Sequence, residues 1–253
     1  MTKRILTLIL LVLPFLVGAQ DYQELKDSKP FDNQTVWDKT LKNDYYFEWG
    51  NIDTRYPKLS VPNKSDMNNK DGNKNRISLT AWKGERVNAQ ALIYTKTDLK
   101  GVNLSVSDLK SERNTIGASS IKIHPVSYVM TDELNKDGSG GCGHRPDPTQ
   151  YDSTLVADVL NNIHTDLEIP AFTTKPVWIN IAVPQETAAG KYRGTINLET
   201  AGITSSLQIE VVVKNHTLPA PSQWAYHLDL WQNPYAVARY HNVDLWSEAH
   251  FEL

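Results

Sequence analysis

Cysteine, clustered positive charge and long apolar runs are all scarce in this sequence of 253 residues. The single cysteine, Cys142, excludes an internal disulfide, so the fold must be held by burial alone, and about 230 residues can bury a sizeable core. No cluster of lysine and arginine forms a basic stripe, which argues against nucleic acid as a partner. The longest apolar stretch lies at the N-terminus and is shorter than the roughly 20 residues that a membrane-spanning helix needs.

The first 19 residues have the features of a secretory signal peptide. Lys3 and Arg4 are a positive n-region, Ile5–Val17 is an apolar core, and small residues precede a cleavage expected before Gln20. An uncleaved membrane anchor is the alternative interpretation. Cleavage predicts an exported protein, whether periplasmic, cell-surface or extracellular, with no membrane attachment after processing. Without Lys3 and Arg4, the 26 basic and 29 acidic residues become 24 and 29, a net charge of −5.

Residues 20–75 are predicted to form an N-terminal arm and a loop. Gln20–Lys42 is a polar arm, Asp44–Trp49 is a candidate short strand or lid, and Pro57–Asn75 is a loop. The run NKSDMNNKDGNKN has no apolar periodicity, so we expect it to be exposed and mobile. Its acidic residues suggest calcium binding, but their spacing does not match an EF-hand loop, in which glycine occupies the sixth place.

Short segments of alternating polarity between residues 76 and 221 predict an antiparallel β-sandwich. The predicted strands are Arg86–Thr95, Val102–Leu109, Ile121–Val129, Val177–Val183, Tyr192–Leu198 and Leu207–Val213. Ala201-Gly202 supplies a turn between the last two strands, which predicts a hairpin. Pro125 has no amide hydrogen, so its strand is expected at a sheet edge or a bulge. His216–Pro221 is predicted to be a stiff linker.

A long segment, roughly Met130–Thr174, interrupts the predicted strands. It contains the glycine-rich run NKDGSGGCGHRPDP, followed by an acidic stretch around Leu155–Ile163 that we expect to be partly helical. Loops of this length inside a compact domain are usually functional or disordered.

Four residues that carry chemistry lie within six positions of that segment: Cys142, His144, Arg145 and Asp147. Cys142 and His144 could bind a metal, although no further ligands stand at a useful spacing. Arg145 and Asp147 could instead form a structural pair that holds the loop. As a third interpretation, the loop reaches the mouth of a second domain and shapes a substrate pocket.

Residues 222–253 are predicted to begin that second domain. Tyr226–Leu230 alternates as a strand does, a polar loop follows it, and Ser247-Glu248 is typical of a helix N-terminus. A strand, a loop and a helix start are the first unit of a β/α barrel or a doubly wound sheet. A barrel needs about 250 residues, so the sequence predicts a mainly β chain that ends in the truncated start of a TIM-type barrel.

Three motifs together resemble the N-terminal part of bacterial proteins related to glycoside hydrolase family 123. They are WKGERVNAQALIYT (82–95), PVWINIAVPQETAAGKYRGTINL (176–198) and HLDLWQNPYAVARYHNVDLWSEAHF (227–251). The resemblance covers roughly residues 76–253. It implies an N-terminal β-sandwich that leads into a catalytic β/α barrel, and the activity of a β-N-acetylgalactosaminidase.

The resemblance also implies a substrate-assisted, retaining reaction. In such a reaction the substrate's 2-acetamido oxygen attacks the anomeric carbon, an Asp orients that group and a neighbouring Glu is the general acid. The only adjacent Asp-Glu pair in this sequence, Asp132-Glu133, matches no catalytic motif. The sequence therefore assigns no catalytic residue, no metal site and no cofactor.

Some substrate-binding candidates follow from the position of the first barrel strand. Asp229, Trp231 and Gln232 stand at its expected C-terminal end, and such ends build the active-site face of a barrel. Trp231 would stack on a sugar ring, and Asp229 or Gln232 would bind its hydroxyl groups. Alternatively, Trp231 is domain-interface core and Asp229 caps the next turn.

Arg239 is a further candidate, unless it pairs with an acidic neighbour. Arg145 and Asp147 complete the tentative set.

Two functions remain open from the sequence. In the first, this is the N-terminal portion of an exported glycoside hydrolase that acts on N-acetylhexosamine-containing glycans and lacks the catalytic pair. In the second, it is a non-catalytic carbohydrate-binding or adhesion module, as a sandwich with a signal peptide and many aromatic residues would suit.

Overall fold

A computed structural model describes residues 34–67, 75–131, 154–225, 229 and 231–253. The chain divides into two units, one containing residues 24–225 and the other containing residues 226–253. The helices are α1 (Gln34–Thr40), α2 (Pro234–His241) and α3 (Glu248–Phe251). The strands are β1 (Tyr45–Gly50), β2 (Arg76–Lys83), β3 (Arg86–Thr95), β4 (Leu99–Val106), β5 (Leu109–Lys110), β6 (Thr115–Ile116), β7 (Ile121–Thr131), β8 (Thr154–Leu160), β9 (Leu167–Ile169), β10 (Thr173–Ala182), β11 (Gly190–Thr200) and β12 (Ile203–Thr217).

No helix in these ranges is both long enough and apolar enough to cross a membrane.

The strands of residues 24–225 form two sheets that share one core. The first has the order β1-β3-β10-β7-β8, and the second has the order β2-β12-β11-β4-β9, with β5 paired to β11 and β6 paired to β5. The predicted mainly β sandwich is therefore confirmed. One detail differs, because β2 pairs with β12 in parallel and makes the second sheet mixed. These two strands lie far apart in sequence, so no hairpin turn forces them to be antiparallel.

The alternating pattern of β3 places apolar side chains on both faces of the first sheet. Its odd-numbered residues join the core between the sheets, namely Val87, Ala89, Ala91 and Ile93. Leu92 and Tyr94 point the other way and pack with Trp37 of α1 in a second cluster. A helix of seven residues is not stable alone in water, so the burial of Trp37 holds α1 against the sheet.

The structure confirms the predicted β11–β12 hairpin, with Gly202 at φ 77° in its turn. It also confirms the strand predicted at 177–183, although β10 begins earlier, at Thr173. The segment predicted as one strand at 102–109 is divided between β4 and β5. The candidate strand at 44–49 is β1, an edge strand paired with β3. β12 continues to Thr217, so the predicted linker starts later than expected.

The partly helical conformation expected around Leu155–Ile163 is wrong. Thr154–Leu160 is strand β8, which pairs antiparallel with β7. Leu155 and Ala157 are buried with Tyr128 in a third cluster. Pairing with a distant strand and burial of one face here outweigh a weak local helix preference.

The expectation of a sheet edge or a bulge at Pro125 is met only in part, because β7 pairs with one neighbour before this residue and with another after it. β7 pairs with β10 along Ile121–Pro125 and with β8 from Val126 onward, and its register shifts between Ser127 and Tyr128. Pro125 therefore lies where the pairing passes from one neighbour to the other, so its missing N–H interrupts neither ladder.

The predicted loop Pro57–Asn75 is attached to the sandwich at its start. The Lys58 amide donates to the Leu155 carbonyl at 2.8 Å, and the Lys58 carbonyl accepts from the Thr174 amide at 2.8 Å. Residues 68–74, on which much of the mobility and calcium interpretation rests, lie outside the described residues.

Gly194 allows β11 to lie directly against the segment that leads into β5. A Cβ atom at this position would stand 2.6 Å from Leu109 Cδ2 and 2.8 Å from the Asp108 carbonyl oxygen. Leu109 is fully buried and cannot move aside freely. The close approach lets the Ser107 hydroxyl accept from the Thr195 amide at 2.9 Å.

We predict that Gly194→Ala destabilises the sandwich by about 1–3 kcal/mol, because the added methyl group overpacks a closed contact. Gly117→Ala is the matched control, since Gly117 has φ −65° and a Cβ there would meet only Ser119 Oγ at 3.5 Å. Urea denaturation of both variants measures the difference. Equal free energies of unfolding for the two variants would refute the close-approach interpretation.

Candidate functional site

The described residues after Asp229 are organised around two helix starts. Asn233 caps α2, because its side-chain oxygen accepts from the Ala236 amide at 3.1 Å, and Pro234 occupies the first turn. Ser247 caps α3 in the same way and accepts from the His250 amide at 3.2 Å. The sequence predicted the second start and missed the first, although Asn followed by Pro is a known N-terminal signal.

The candidate substrate-binding residues Asp229, Trp231 and Gln232 lie together, directly before α2, and all are exposed. Trp231 is 98% exposed, and Asn233 rather than Asp229 caps the helix that follows. Arg239 lies apart from them, in the last turn of α2. Their role in binding sugar stays a prediction.

The other sequence-based candidates lie outside the described residues. These are Arg145 and Asp147, with Cys142, His144 and the pair Asp132-Glu133. The strand predicted at 226–230 falls on residues of which only Asp229 is described. Within the ranges that the structure does describe, no three potential metal ligands lie together.

Trp246 is at the centre of an aromatic cluster that joins α2 to α3. Its ring lies 6.5 Å from Tyr235 and 5.6 Å from His250, measured between centroids. Its backbone has φ 64°, which is unusual for a bulky residue, and its amide donates to His250 Nδ1 at 3.0 Å. Because Nδ1 accepts this bond, the ring proton of neutral His250 is on Nε2. The sequence analysis did not identify His250.

Among the described residues of the sandwich, two carboxylates, Glu48 and Glu210, are buried, and their contacts show whether either could be a catalytic acid. Glu48 accepts a 2.8 Å hydrogen bond from the Tyr94 hydroxyl. Burial, and then the charge of Glu48, raise the pKa of Tyr94 well above its usual range. The pair joins β1 to β3 beneath α1.

Glu210 is the second buried carboxylate; two side chains donate hydrogen bonds to it, and a third forms an ion pair with it. It accepts from Arg193 Nε at 2.7 Å and from Ser78 Oγ at 3.1 Å, and Arg76 lies 3.1 Å away. Burial alone would raise the pKa of Glu210, but these hydrogen bonds and the two positive charges outweigh burial and lower it. A carboxyl group held ionised in this way is unsuited to be a general acid.

Comparison with protein families gives two matches. The model described as "Glycoside hydrolase 123 N-terminal domain" matches residues 49–200, and the model described as "Glycoside hydrolase 123, catalytic domain" matches residues 231–253. Asp229 precedes the second match, whereas Trp231, Gln232 and Arg239 lie within it. Among curated protein sequences, none matches this chain significantly.

Among solved structures, a family 123 glycoside hydrolase from Clostridium perfringens, studied for glycolipid glycan hydrolysis, aligns with a TM-score of 0.67 and 24% identity. The alignment covers 83% of this chain and 34% of that one, so this chain spans about a third of its length. The CooA pilin subunit from enterotoxigenic Escherichia coli gives 0.27, with 15% identity over 58% of this chain and 94% of that one. For Spo0M from Bacillus subtilis the TM-score is 0.27, with 10% identity over 54% of this chain and 46% of that one. Scores as low as the last two do not indicate a common fold.

Glu210→Gln should destabilise the sandwich at pH 7 by about 1.5–3 kcal/mol, because it removes charge-assisted hydrogen bonds from a buried site. The pKa of Glu210 is lower in the folded chain than in the unfolded chain, where it is about 4.3. The stabilisation is therefore complete above the pKa of the unfolded chain, and it is lost as the pH falls through the pKa of the folded chain. The difference from the original chain should therefore shrink at pH 3. Urea denaturation at both pH values measures it.

Glu199→Gln is the control for that experiment, since Glu199 is an exposed glutamate on the neighbouring strand β11. It should change the free energy of unfolding little at either pH. A Glu210→Gln deficit of the same size at pH 7 and pH 3 would contradict the ion-pair account.

Asn233→Ala should weaken the first turn of α2 by about 1 kcal/mol, because it removes the side-chain acceptor of the Ala236 amide. Hydrogen exchange at that amide should become about fivefold faster. Gln232→Ala, one residue outside the helix, is the control and should leave the rate unchanged. An unchanged rate in Asn233→Ala would show that the cap does not hold this turn.

Proposed function

Since the chain belongs to glycoside hydrolase family 123, we propose that it is part of an exported glycoside hydrolase acting on glycans that contain N-acetylhexosamine. The observation that carries this proposal is the order of the two family matches. An N-terminal domain is matched at residues 49–200 and a catalytic domain at residues 231–253. The relative from Clostridium perfringens hydrolyses glycolipid glycans, so we propose a glycan of that kind as the substrate class.

In this proposal the sandwich supports the catalytic domain, and residues 222–253 form the first unit of its β/α barrel. Four aromatic side chains of this segment are each more than half exposed, namely Trp231, Tyr235, Trp246 and Phe251. So many exposed aromatic side chains in a short segment favour a surface that further structure or substrate covers.

The proposed reaction is substrate-assisted and retains the anomeric configuration. The substrate's 2-acetamido oxygen attacks the anomeric carbon, a carboxylate orients the acetamido group, and a carboxylic acid protonates the leaving oxygen. Trp231 would stack on a sugar ring, and Asp229 and Gln232 would bind hydroxyl groups. Arg239, in the last turn of α2, would contact a part of the substrate farther from that ring. Arg145 and Asp147 would contribute from the segment that follows β7.

We further propose that the catalytic carboxylates are not among the 253 residues. Glu48 and Glu210 are each bound to structural partners in the sandwich, and the match to the catalytic domain covers only 23 residues. A barrel that carries an active site needs about 250 residues. The chain alone would then have no hydrolase activity.

Hydrolysis of p-nitrophenyl N-acetyl-β-D-galactosaminide by this chain and by the product of the complete gene tests the proposal. We expect activity only in the complete product, because the catalytic pair would be present only there. Trp231→Ala in that product should raise KM by about tenfold through loss of sugar stacking. Tyr240→Ala, an exposed aromatic residue in the last turn of α2, is the matched control.

Activity in the 253-residue chain would overturn the assignment of catalysis to residues outside it. Absence of N-acetylhexosaminidase activity from both proteins would overturn the proposed substrate class.

A further inference from the structure

A basic cleft of about 560 Å³ opens on the second sheet of the sandwich. One wall is the turn between β5 and β6, and the other is the start of β11. Four positively charged side chains line it, Lys110, Arg113, Lys191 and Arg193, together with the single acidic side chain Glu112. None of the functions discussed above uses this cleft.

The β5–β6 wall is fixed at both ends. Leu109 and Ile116, which flank the turn, are fully buried in the core. Within the turn, the Ser111 amide donates to the Asn114 carbonyl at 2.9 Å, and the Asn114 amide donates to Ser111 Oγ at 3.0 Å. The position of Arg113 is therefore set by a closed turn rather than by a free loop.

The β11 wall is fixed as well. The Tyr192 side chain is buried, and its hydroxyl donates to the Ala188 carbonyl at 2.8 Å. Close contact at Gly194 brings β11 against β5, so that Lys110 and Arg193 become direct partners across the two strands. Like charges directly opposite each other destabilise a sheet, so this pairing has an energetic cost that the fold itself does not require.

Buried Glu210 compensates for part of that cost and orients Arg193. The Arg193 Nε donates to Glu210 at 2.7 Å, and this bond uses only one of the five N–H donors of the guanidinium group. Lys110, Arg113 and Lys191 form no ion pair with any residue that the structure describes. Among the described residues, the cleft lining thus has four positive side chains and one negative side chain, whereas the whole chain has a net charge of −3.

We propose that this cleft binds an anionic sugar, one that carries a carboxylate or a sulfate group. The fixed walls bring four cationic residues to one cleft, Glu210 orients the guanidinium group of Arg193, and a guanidinium group can donate two parallel hydrogen bonds to two oxygens of a carboxylate or a sulfate. The identification of the ligand as a sugar rests on the proposed function, while the preference for an anion rests on the cleft itself.

Isothermal titration of the full chain at low ionic strength tests the proposal with four probes. They are N-acetylgalactosamine 6-sulfate, N-acetylneuraminic acid, uncharged N-acetylgalactosamine and inorganic sulfate. At least one charged sugar should bind about tenfold or more tightly than the uncharged sugar. Its affinity should fall as salt is raised, because exposed charges are screened.

Arg113→Ala and Lys191→Ala should each weaken binding of the preferred charged sugar about tenfold. Both positions are exposed, and urea denaturation confirms that each variant is folded. Lys100→Ala, at an exposed lysine at the start of β4 and beside the end of β11 that lies farthest from the cleft, is the control and should bind as the original chain does.

Equal affinities for charged and uncharged sugars would overturn the proposal, as would equal losses in the control and in the two cleft variants. Inorganic sulfate that binds as tightly as the sulfated sugar would overturn the assignment of the ligand as a sugar. The measurement involves no turnover, so a negative hydrolysis assay would not be mistaken for failure of this proposal.

Discussion

Burial of β3 on both faces is the constraint on which the rest of the sandwich depends. β3 lies between β1 and β10, and its side chains reach two different cores. Ala91 and Ile93 face the second sheet, whereas Leu92 and Tyr94 face α1 and are covered by Trp37. Fully burying an aliphatic side chain of the size of Leu92 or Ile93 contributes roughly 1.5–3 kcal/mol to the stability of the fold. One strand thereby holds together two sheets and the helix that precedes them.

The alternation of polar and apolar residues predicted the parts of the fold that local pattern determines. It located β3, β10 and the β11–β12 hairpin, because each has a period of two and the hairpin has Gly202 in its turn. It failed where a distant partner decides the conformation. Leu155 belongs to a strand because β7 lies beside it, and the direction of β2 is set by packing against β12 rather than by any turn.

The same distinction applies to the candidate sites. Ser247-Glu248 is a local helix signal, and it predicted α3 correctly. The basic cleft could not be predicted, because Lys110 and Arg193 are far apart in sequence and meet only through the contact that Gly194 permits. Nothing in the local sequence around Lys191 and Arg193 indicates that these two charges lie beside the turn between β5 and β6.

In the proposed function, support and chemistry are separated, because the sandwich binds its buried carboxylates Glu48 and Glu210 to structural partners and the catalytic site would lie elsewhere in the protein. Titration with a thiazoline derivative of N-acetylgalactosamine, a stable mimic of the bicyclic ion formed by the 2-acetamido group, tests this separation most directly. Such mimics bind active sites about 100-fold or more tightly than substrate. We expect the 253-residue chain to bind the mimic no more tightly than N-acetylgalactosamine, and the complete gene product to bind it far more tightly. Tight binding by the 253-residue chain would overturn the proposed separation.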